Sequence, residues 1–261
     1  MLILLSPAKT LDFTTPPQLA TATQPEFIDR AEPLIDVLRD YSPREISELM
    51  ELSDKLAALN VARYAEWRPE HERPEAKQAA LAFDGDVYDG LDAKTLEPKV
   101  LGGYAQKHLG ILSGLYGLLR PLDLIRPYRL EMGTRLPTSA GRNLYDYWGD
   151  TIALAINRRL DAQPKKAQRV VVNLASDEYF RSVRTSTVDA RIVTPHFQDW
   201  KGGRYKVISF NAKRARGAMA RFAIDHKLER AEGLKAFDRL GYAFDEEASD
   251  ADNWIFRRRD N

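Results

Sequence analysis

The stretch Arg169-Val170-Val171-Val172-Asn173-Leu174-Ala175-Ser176-Asp177-Glu178-Tyr179 decides how this chain is read. Three consecutive valines followed by a leucine make a short apolar, β-branched run, the pattern of a strand buried on both faces. Ser176 before Asp177 and Glu178 then reads as a helix start. A serine can cap free amide groups there, and acids suit the positive end of the helix dipole. A buried strand running into a helix puts its connecting loop where α/β proteins often hold functional groups. Asn173, Ser176, Asp177 and Glu178 are therefore catalytic candidates, with plain helix capping as the alternative.

Working outward, Leu2-Ile3-Leu4-Leu5 reads as a second buried strand that stops at Ser6-Pro7. Residues 14–18 form an extended linker, and residues 26–41 an amphipathic helix in which Pro33 begins a second segment. Ser42-Pro43-Arg44-Glu45 is a full helix start, with serine as cap, proline first and glutamate third. A helix follows over residues 53–67. Residues 109–112 fit a strand or a short helix equally, and residues 144–160 form one helix. Residues 192–197 and 204–210 read as strands of a hairpin around Gly202-Gly203. Residues 211–227 form a helix, a short one follows near Lys235, and Trp254-Ile255-Phe256 closes the set as a strand. Without a clean βαβ repeat, these elements predict one α/β domain over residues 1–261, a mixed sheet flanked by helices.

The 261 residues are 44% hydrophobic and 30% charged, with a net charge of +1. No run approaches the ~20 apolar residues of a membrane-spanning helix, and the apolar start lacks the charged leader of a signal peptide. The chain contains no cysteine. That excludes disulfides, thiolate metal sites and thiol redox chemistry within the chain, and with no targeting segment it places the protein in the cytosol. The four histidines form no compact ligand set, and Asp84-Gly85-Asp86, Asp177-Glu178 and Asp245-Glu246-Glu247 lack EF-hand spacing. No metal or cofactor is expected.

Charge is unevenly spread. Residues 1–60 hold ten acids and five bases, whereas residues 200–224 hold no acid but Lys201, Arg204, Lys206, Lys213, Arg214, Arg216 and Arg221. Lys213, Arg216 and Arg221 fall on one helical face, with Gly217 between them. A glycine in mid-helix costs up to about 1 kcal/mol against alanine, and close approach of another backbone would account for it. Such a face suits phosphate contacts, although a solvated surface explains the same charges more plainly. Gly114-Leu115-Tyr116-Gly117, with Arg120, Arg126 and Arg129 close behind, reads as a phosphate-facing turn or as a structural one. Ser6-Pro7-Ala8-Lys9 has serine–lysine acyl-transfer spacing but lacks that chemistry's partner motifs. Lys9 therefore reads better as an anion-binding residue at a strand end.

Taken together, several segments resemble the YaaA family of peroxide stress-resistance proteins. They are Leu4-Leu5-Ser6-Pro7-Ala8-Lys9-Thr10-Leu11-Asp12, Ser53-Asp54-Lys55-Leu56, Gly85-Asp86-Val87-Tyr88, Leu112-Ser113-Gly114-Leu115-Tyr116 on to Met132-Gly133, Val172-Asn173-Leu174-Ala175-Ser176-Asp177-Glu178-Tyr179-Phe180, and Ile208-Ser209-Phe210-Asn211-Ala212-Lys213. The likeness covers nearly the whole chain in order, with Asn211 standing where a more hydrophobic residue is expected. It implies an unusual α/β topology with a helix–hairpin–helix element, DNA binding in a positively charged cleft, and protection from peroxide through less free iron.

On that reading a monomer binds duplex, damaged or branched DNA. Lys213, Arg214, Arg216 and Arg221 contact phosphates, Arg120, Arg126 and Arg129 form the opposing wall, and Lys55 and Lys206 add positive charge. The alternative is an enzyme acting on nucleic acid or a nucleotide-like molecule, its candidates being Lys9, Asn173, Ser176, Asp177 and Glu178.

Overall fold

A computed structural model describes residues 1–17, 19–164 and 167–259. Gln18, at the end of the expected linker, lies outside them. The main sheet holds β1 (Leu2–Leu5), β2 (Leu109–Ser113), β3 (Gly117–Leu119), β4 (Val170–Leu174), β5 (Arg191–Lys201), β6 (Arg204–Lys206), β7 (Ala243–Asp245) and β8 (Asn253–Arg258). Its order is β7-β8-β5-β4-β1-β2-β3, with β6 pairing to β5. β1 runs parallel to β2 (Ile3 opposite Leu109) and to β4 (Ile3 opposite Val172). β5 is parallel to β4 and β8, and the remaining three pairs are antiparallel. The sheet is thus mixed and flanked by helices, as the sequence predicts.

Every residue of β1, β2 and β4 is buried, so both faces of this central parallel section are covered, as such sections require. The helices used below are α1 (Ile28–Arg39), α2 (Pro43–Met50), α3 (Asp54–Glu66), α4 (Asp86–Leu91), α5 (Leu144–Trp148), α6 (Thr151–Asp161), α7 (Asp177–Phe180) and α8 (Ser209–Asp225). The capping box at α2 forms as read: the Ser42 hydroxyl accepts from the Glu45 amide, and Glu45 accepts from the Ser42 amide.

Several boundaries differ from the expectation. Pro33 is exposed, and α1 continues through it instead of starting anew. Residues 109–112 resolve as strand. The helix expected over 144–160 is two helices, because Gly149 takes the left-handed region at φ 49°. β5 is longer than residues 192–197. The charged Asp199 occupies one of its inward positions and hides the alternation, yet it is matched by Arg258 at 2.5 Å and the Tyr242 hydroxyl at 2.9 Å. The strand expected over 204–210 stops at Lys206, and Ser209 opens α8. Val207 and Phe210 are each 57% exposed, so no buried face specifies a longer strand.

Gly217 has the close backbone neighbour that its mid-helix position suggested. A Cβ there would lie 1.8 Å from the Val87 carbonyl oxygen, and one on Gly90 would lie 2.1 Å from that of Arg214. Glycines on both helices let the α4 and α8 backbones touch. This contact fixes α8 against the loop that opens α4.

Candidate functional site

The chain leaves β1, builds β2 and β3 on one side of it, and returns to place β4 on the other side. The strand order reverses between β1 and β4. In parallel sheets that is where the outgoing loops part and leave a crevice beyond the carboxyl ends. Here the loops are Ser6-Pro7-Ala8-Lys9 after β1 and Ala175-Ser176 before α7. A third wall comes from a two-residue pairing, Thr10 with Asp84 and Leu11 with Phe83, which draws Asp84-Gly85-Asp86 beside the first loop. α8, held by its glycine contact with α4, supplies Lys213 and Arg216. The result is a cleft of about 490 Å³, lined among others by Ser6, Lys9, Asp84, Asp86, Ser176, Glu178, Tyr179, Lys213 and Arg216.

Hydrogen bonds lock the loops. The Ser176 amide donates to the Ser6 hydroxyl oxygen (2.9 Å), and the two hydroxyls lie 3.3 Å apart. Ser176 makes no side-chain cap to α7, so its expected capping role is replaced by this link between strand ends. The Tyr88 hydroxyl on α4 donates to the Ser6 carbonyl oxygen (3.0 Å). Glu178 accepts from the Gly133 amide (2.9 Å), and Lys9 pairs with Glu131 at 2.9 Å, which also holds Arg129 at 2.9 Å. Burial pushes the Arg216 guanidinium down from its ordinary value, and the neighbouring Asp177 carboxylate opposes that shift. Burial pushes the Tyr88 and Tyr179 phenols well up, keeping both neutral. Three cations and three carboxylates therefore face one cavity, so the cleft is of mixed charge. A second hollow of about 660 Å³ continues from it past Lys9 and Glu178 toward Glu48, Glu51, Glu131 and Arg135.

Of the expected site residues, Lys9, Ser176, Glu178, Lys213 and Arg216 meet in the cleft. Asn173 is buried behind it, its side chain accepting from the Ala175 amide (3.0 Å) and reaching Thr194. Asp177 is exposed beside Arg216 without lining the cavity. Arg214 borders a separate hollow with Asp89, Asp92 and Lys94. Arg221 is committed to Asp225 (2.8 Å), Thr95 (2.7 Å) and the Asp92 carbonyl (2.9 Å). Lys55, in the first turn of α3, and Lys206, at the end of β6, are exposed but do not line the cavity.

The opposing wall of Arg120, Arg126 and Arg129 does not form. Arg120 follows β3, which is antiparallel to β2 (Ile111 opposite Leu119), so it lies toward the amino ends of the parallel strands. There it pairs with Asp123 at 2.8 Å. Arg126 donates to the Glu70 carbonyl at 3.1 Å, and only Arg129, through Glu131, approaches Lys9. The turn from Gly114 to Gly117 is structural: it closes the β2–β3 hairpin, and the Gly114 carbonyl accepts from the Trp148 indole (2.9 Å).

The sequence reading did not place Asp84, Asp86, Glu131 or Tyr179 in the site. Asp84 and Asp86 arrive through a two-residue strand pairing, while Glu131 and Tyr179 lie inside the segments that carry the family resemblance without being singled out there. Among the described residues no three His, Asp or Glu side chains gather as a metal-binding group, and no described helix is long and apolar enough to cross a membrane.

Comparison with known proteins agrees with the resemblance. The family described as "Peroxide stress protein YaaA" matches residues 1–248. UPF0246 proteins of Ralstonia pickettii, Ralstonia nicotianae and Cupriavidus metallidurans are 59%, 58% and 56% identical to this chain over 259 residues, covering 99% of each. The chain belongs to the YaaA family of peroxide stress proteins.

Proposed function

We propose that this peroxide stress protein acts by holding DNA phosphates in the cleft between β1 and β4. One observation carries the reading: Lys9, Lys213 and Arg216, from two distant segments of the chain, converge on a single cavity at the carboxyl ends of the parallel strands. Asp84, Asp86 and Glu178 offset the field of the cavity as a whole, so the attraction rests on direct contacts of these three cations with individual phosphates. Duplex, damaged or branched DNA would meet Lys213 and Lys9 first, with the half-buried Arg216 behind them. Shielding DNA in this way would limit iron-dependent oxidative damage. In this reading residues 1–261 work as one cytoplasmic, monomeric unit. α2 and α3, joined by only three residues with Lys55 just past the turn, are the helix pair that would serve as the helix–hairpin–helix element.

The test is duplex binding followed by fluorescence anisotropy across a salt series. Replacing both Lys9 and Lys213 by alanine removes two phosphate contacts and should flatten the log–log salt slope by about 2. An unchanged slope and affinity would move the site off this cleft.

A specific observation favours a second reading, an enzyme acting on a nucleotide-like molecule. Ser6, Ser176 and Glu178 share the cavity with the cations, while Asp84 and Asp86 offset their charge. A simple phosphate binder needs none of these groups, whereas a site of about 490 Å³ with convergent polar side chains is of ligand-binding size. Saturable binding of a mononucleotide, abolished by Glu178→Gln with duplex affinity retained, would favour the enzyme.

A further inference from the structure

Beneath the cleft lies a polar pair that neither reading uses. Tyr116 and His71 are almost fully buried. The Nδ1 of His71 lies 3.0 Å from the Pro69 carbonyl oxygen, which can only accept, so Nδ1 carries the hydrogen. In the neutral ring Nε2 is then an acceptor, and the Tyr116 hydroxyl, 2.8 Å away, donates to it. The phenol oxygen in turn accepts from the Trp67 indole (2.9 Å) and the Arg126 amide (3.3 Å). The phenol therefore faces a base that can take its proton, in a site closed to water.

The rings around this pair form a series. Trp67 and His71 stand 5.3 Å apart, His71 and Tyr116 5.6 Å, and Tyr116 and Tyr128 5.3 Å between centroids. Tyr128 borders a small gap together with Lys9 and Tyr179, and Tyr179 lines the cleft. The series thus runs from the cleft to the buried pair. Tyr128 bonds to the Ser113 hydroxyl at 2.6 Å. A serine hydroxyl cannot take up a proton at neutral pH, so an electron vacancy has no resting place on Tyr128. His71 offers one at Tyr116.

We propose that Tyr116, with His71 as its proton acceptor, is a redox site that receives oxidising equivalents from the cleft through Tyr179 and Tyr128. A one-electron oxidant of the hydroxyl-radical class takes one electron and is reduced to hydroxide. Tyr116 loses that electron, its O–H bond breaks, and the proton goes to His71 Nε2. The products are a neutral tyrosyl radical and an imidazolium. A one-electron reductant such as ascorbate returns the electron, and His71 returns the proton. The inference is independent of whether the cleft holds DNA or a small molecule.

The experiment uses the full chain with photogenerated ruthenium(III) tris-bipyridine as oxidant, freeze-trapping and electron paramagnetic resonance. The expected result is a tyrosyl radical in wild type whose signal is lost in Tyr116→Phe, with the fold checked by circular dichroism. A radical of equal yield in folded Tyr116→Phe would overturn the proposal.

Tyr116→Phe leaves the Trp67 and His71 donors and acceptors unmatched, so a wild-type readout accompanies it. Electron–nuclear double resonance should find exchangeable protons on the radical oxygen from the Trp67 indole, the Arg126 amide and protonated His71. In protein carrying ¹⁵N-histidine it should also find a coupling to the His71 nitrogen; absence of that nitrogen coupling would overturn the proposal. The oxidation rate should be flat from pH 6 to 9, because the proton goes to an internal base flanked by Glu70 and Arg126. A rate rising about tenfold per pH unit would mean loss to solvent hydroxide and would equally overturn it.

Discussion

Acid should destabilise this protein over a window set by His71. Burial, the main cause, pushes this imidazole down from 6.5 to about 4; Arg126 adds to the shift, while the Pro69 carbonyl and Glu70 oppose it. The folded value lies below the unfolded one, so the unfolded chain binds a proton that the folded chain refuses. Above pH 6.5 both states are neutral and the stability is complete. Between 6.5 and about 4 it falls by about 1.4 kcal/mol per pH unit, and below that both states are protonated. The difference of 6.5 − 4 = 2.5 units corresponds to about 3 kcal/mol in full, most of it gone by pH 4.5. Asp12, Asp225 and Glu232, all held low by hydrogen bonds and cations, lose their contributions only at lower pH. The assay is urea unfolding from pH 7.5 to 4.5 for wild type and for His71→Gln, which cannot titrate. Other groups, His108 among them, cancel in the difference. Wild type should lose about 2.5 kcal/mol more than the variant over this range. Equal losses would refute the reasoning and mean that the buried ring accepts a proton without penalty.

Other perturbations follow from the packing. Gly217→Ala should cost about 2 kcal/mol or more in urea unfolding, overpacking against the Val87 carbonyl outweighing the roughly 1 kcal/mol of helix propensity regained. Gly103→Ala, with nothing within 4 Å of the added Cβ, should not destabilise and serves as control. Arg258→Ala leaves buried Asp199 without its 2.5 Å ion pair and should lower unfolding free energy by about 3 kcal/mol. Ser42→Ala removes the α2 capping box and should cost about 1 kcal/mol, read as a lower thermal midpoint.

What the sequence made legible was local. The valine run of β4, the capping box at Ser42 and the close approach at Gly217 each follow from a few adjacent residues and one physical rule. The cleft was only half legible. Lys9, Ser176, Glu178, Lys213 and Arg216 stood out by position or charge, but nothing in their spacing showed that β1 and β4 are neighbours or that Thr10 pairs with Asp84. Arg120, Arg126 and Arg221 looked like phosphate ligands because charge is visible in a sequence. Their backbone-carbonyl partners at Gln24, Glu70 and Asp92 lie far along the chain and are not, whereas Asp123 and Asp225, three and four residues away, were legible as ion-pair partners. Asp199 misled in the opposite sense, a charge in an inward position whose matching arginine comes from another strand.

The central placement of β1 bears on how the protein is made. Leu2, Ile3, Leu4 and Leu5 are no more than 1% exposed, yet their flanking strands lie far along the chain, at residues 109 and 172. At ribosomal speeds of about 5–20 residues per second, roughly 10–30 s pass between emergence of the first strand and the last of its neighbours. Until β2 emerges, about 5–20 s in, the apolar segment has no edge to join, and its other edge stays open until β4 follows, so chaperones would have to shelter it. Slow codons or weakened β-propensity near residue 170 would lengthen the exposure. Their effect would appear as insoluble nascent protein, while molecules that do complete folding keep an ordinary melting temperature.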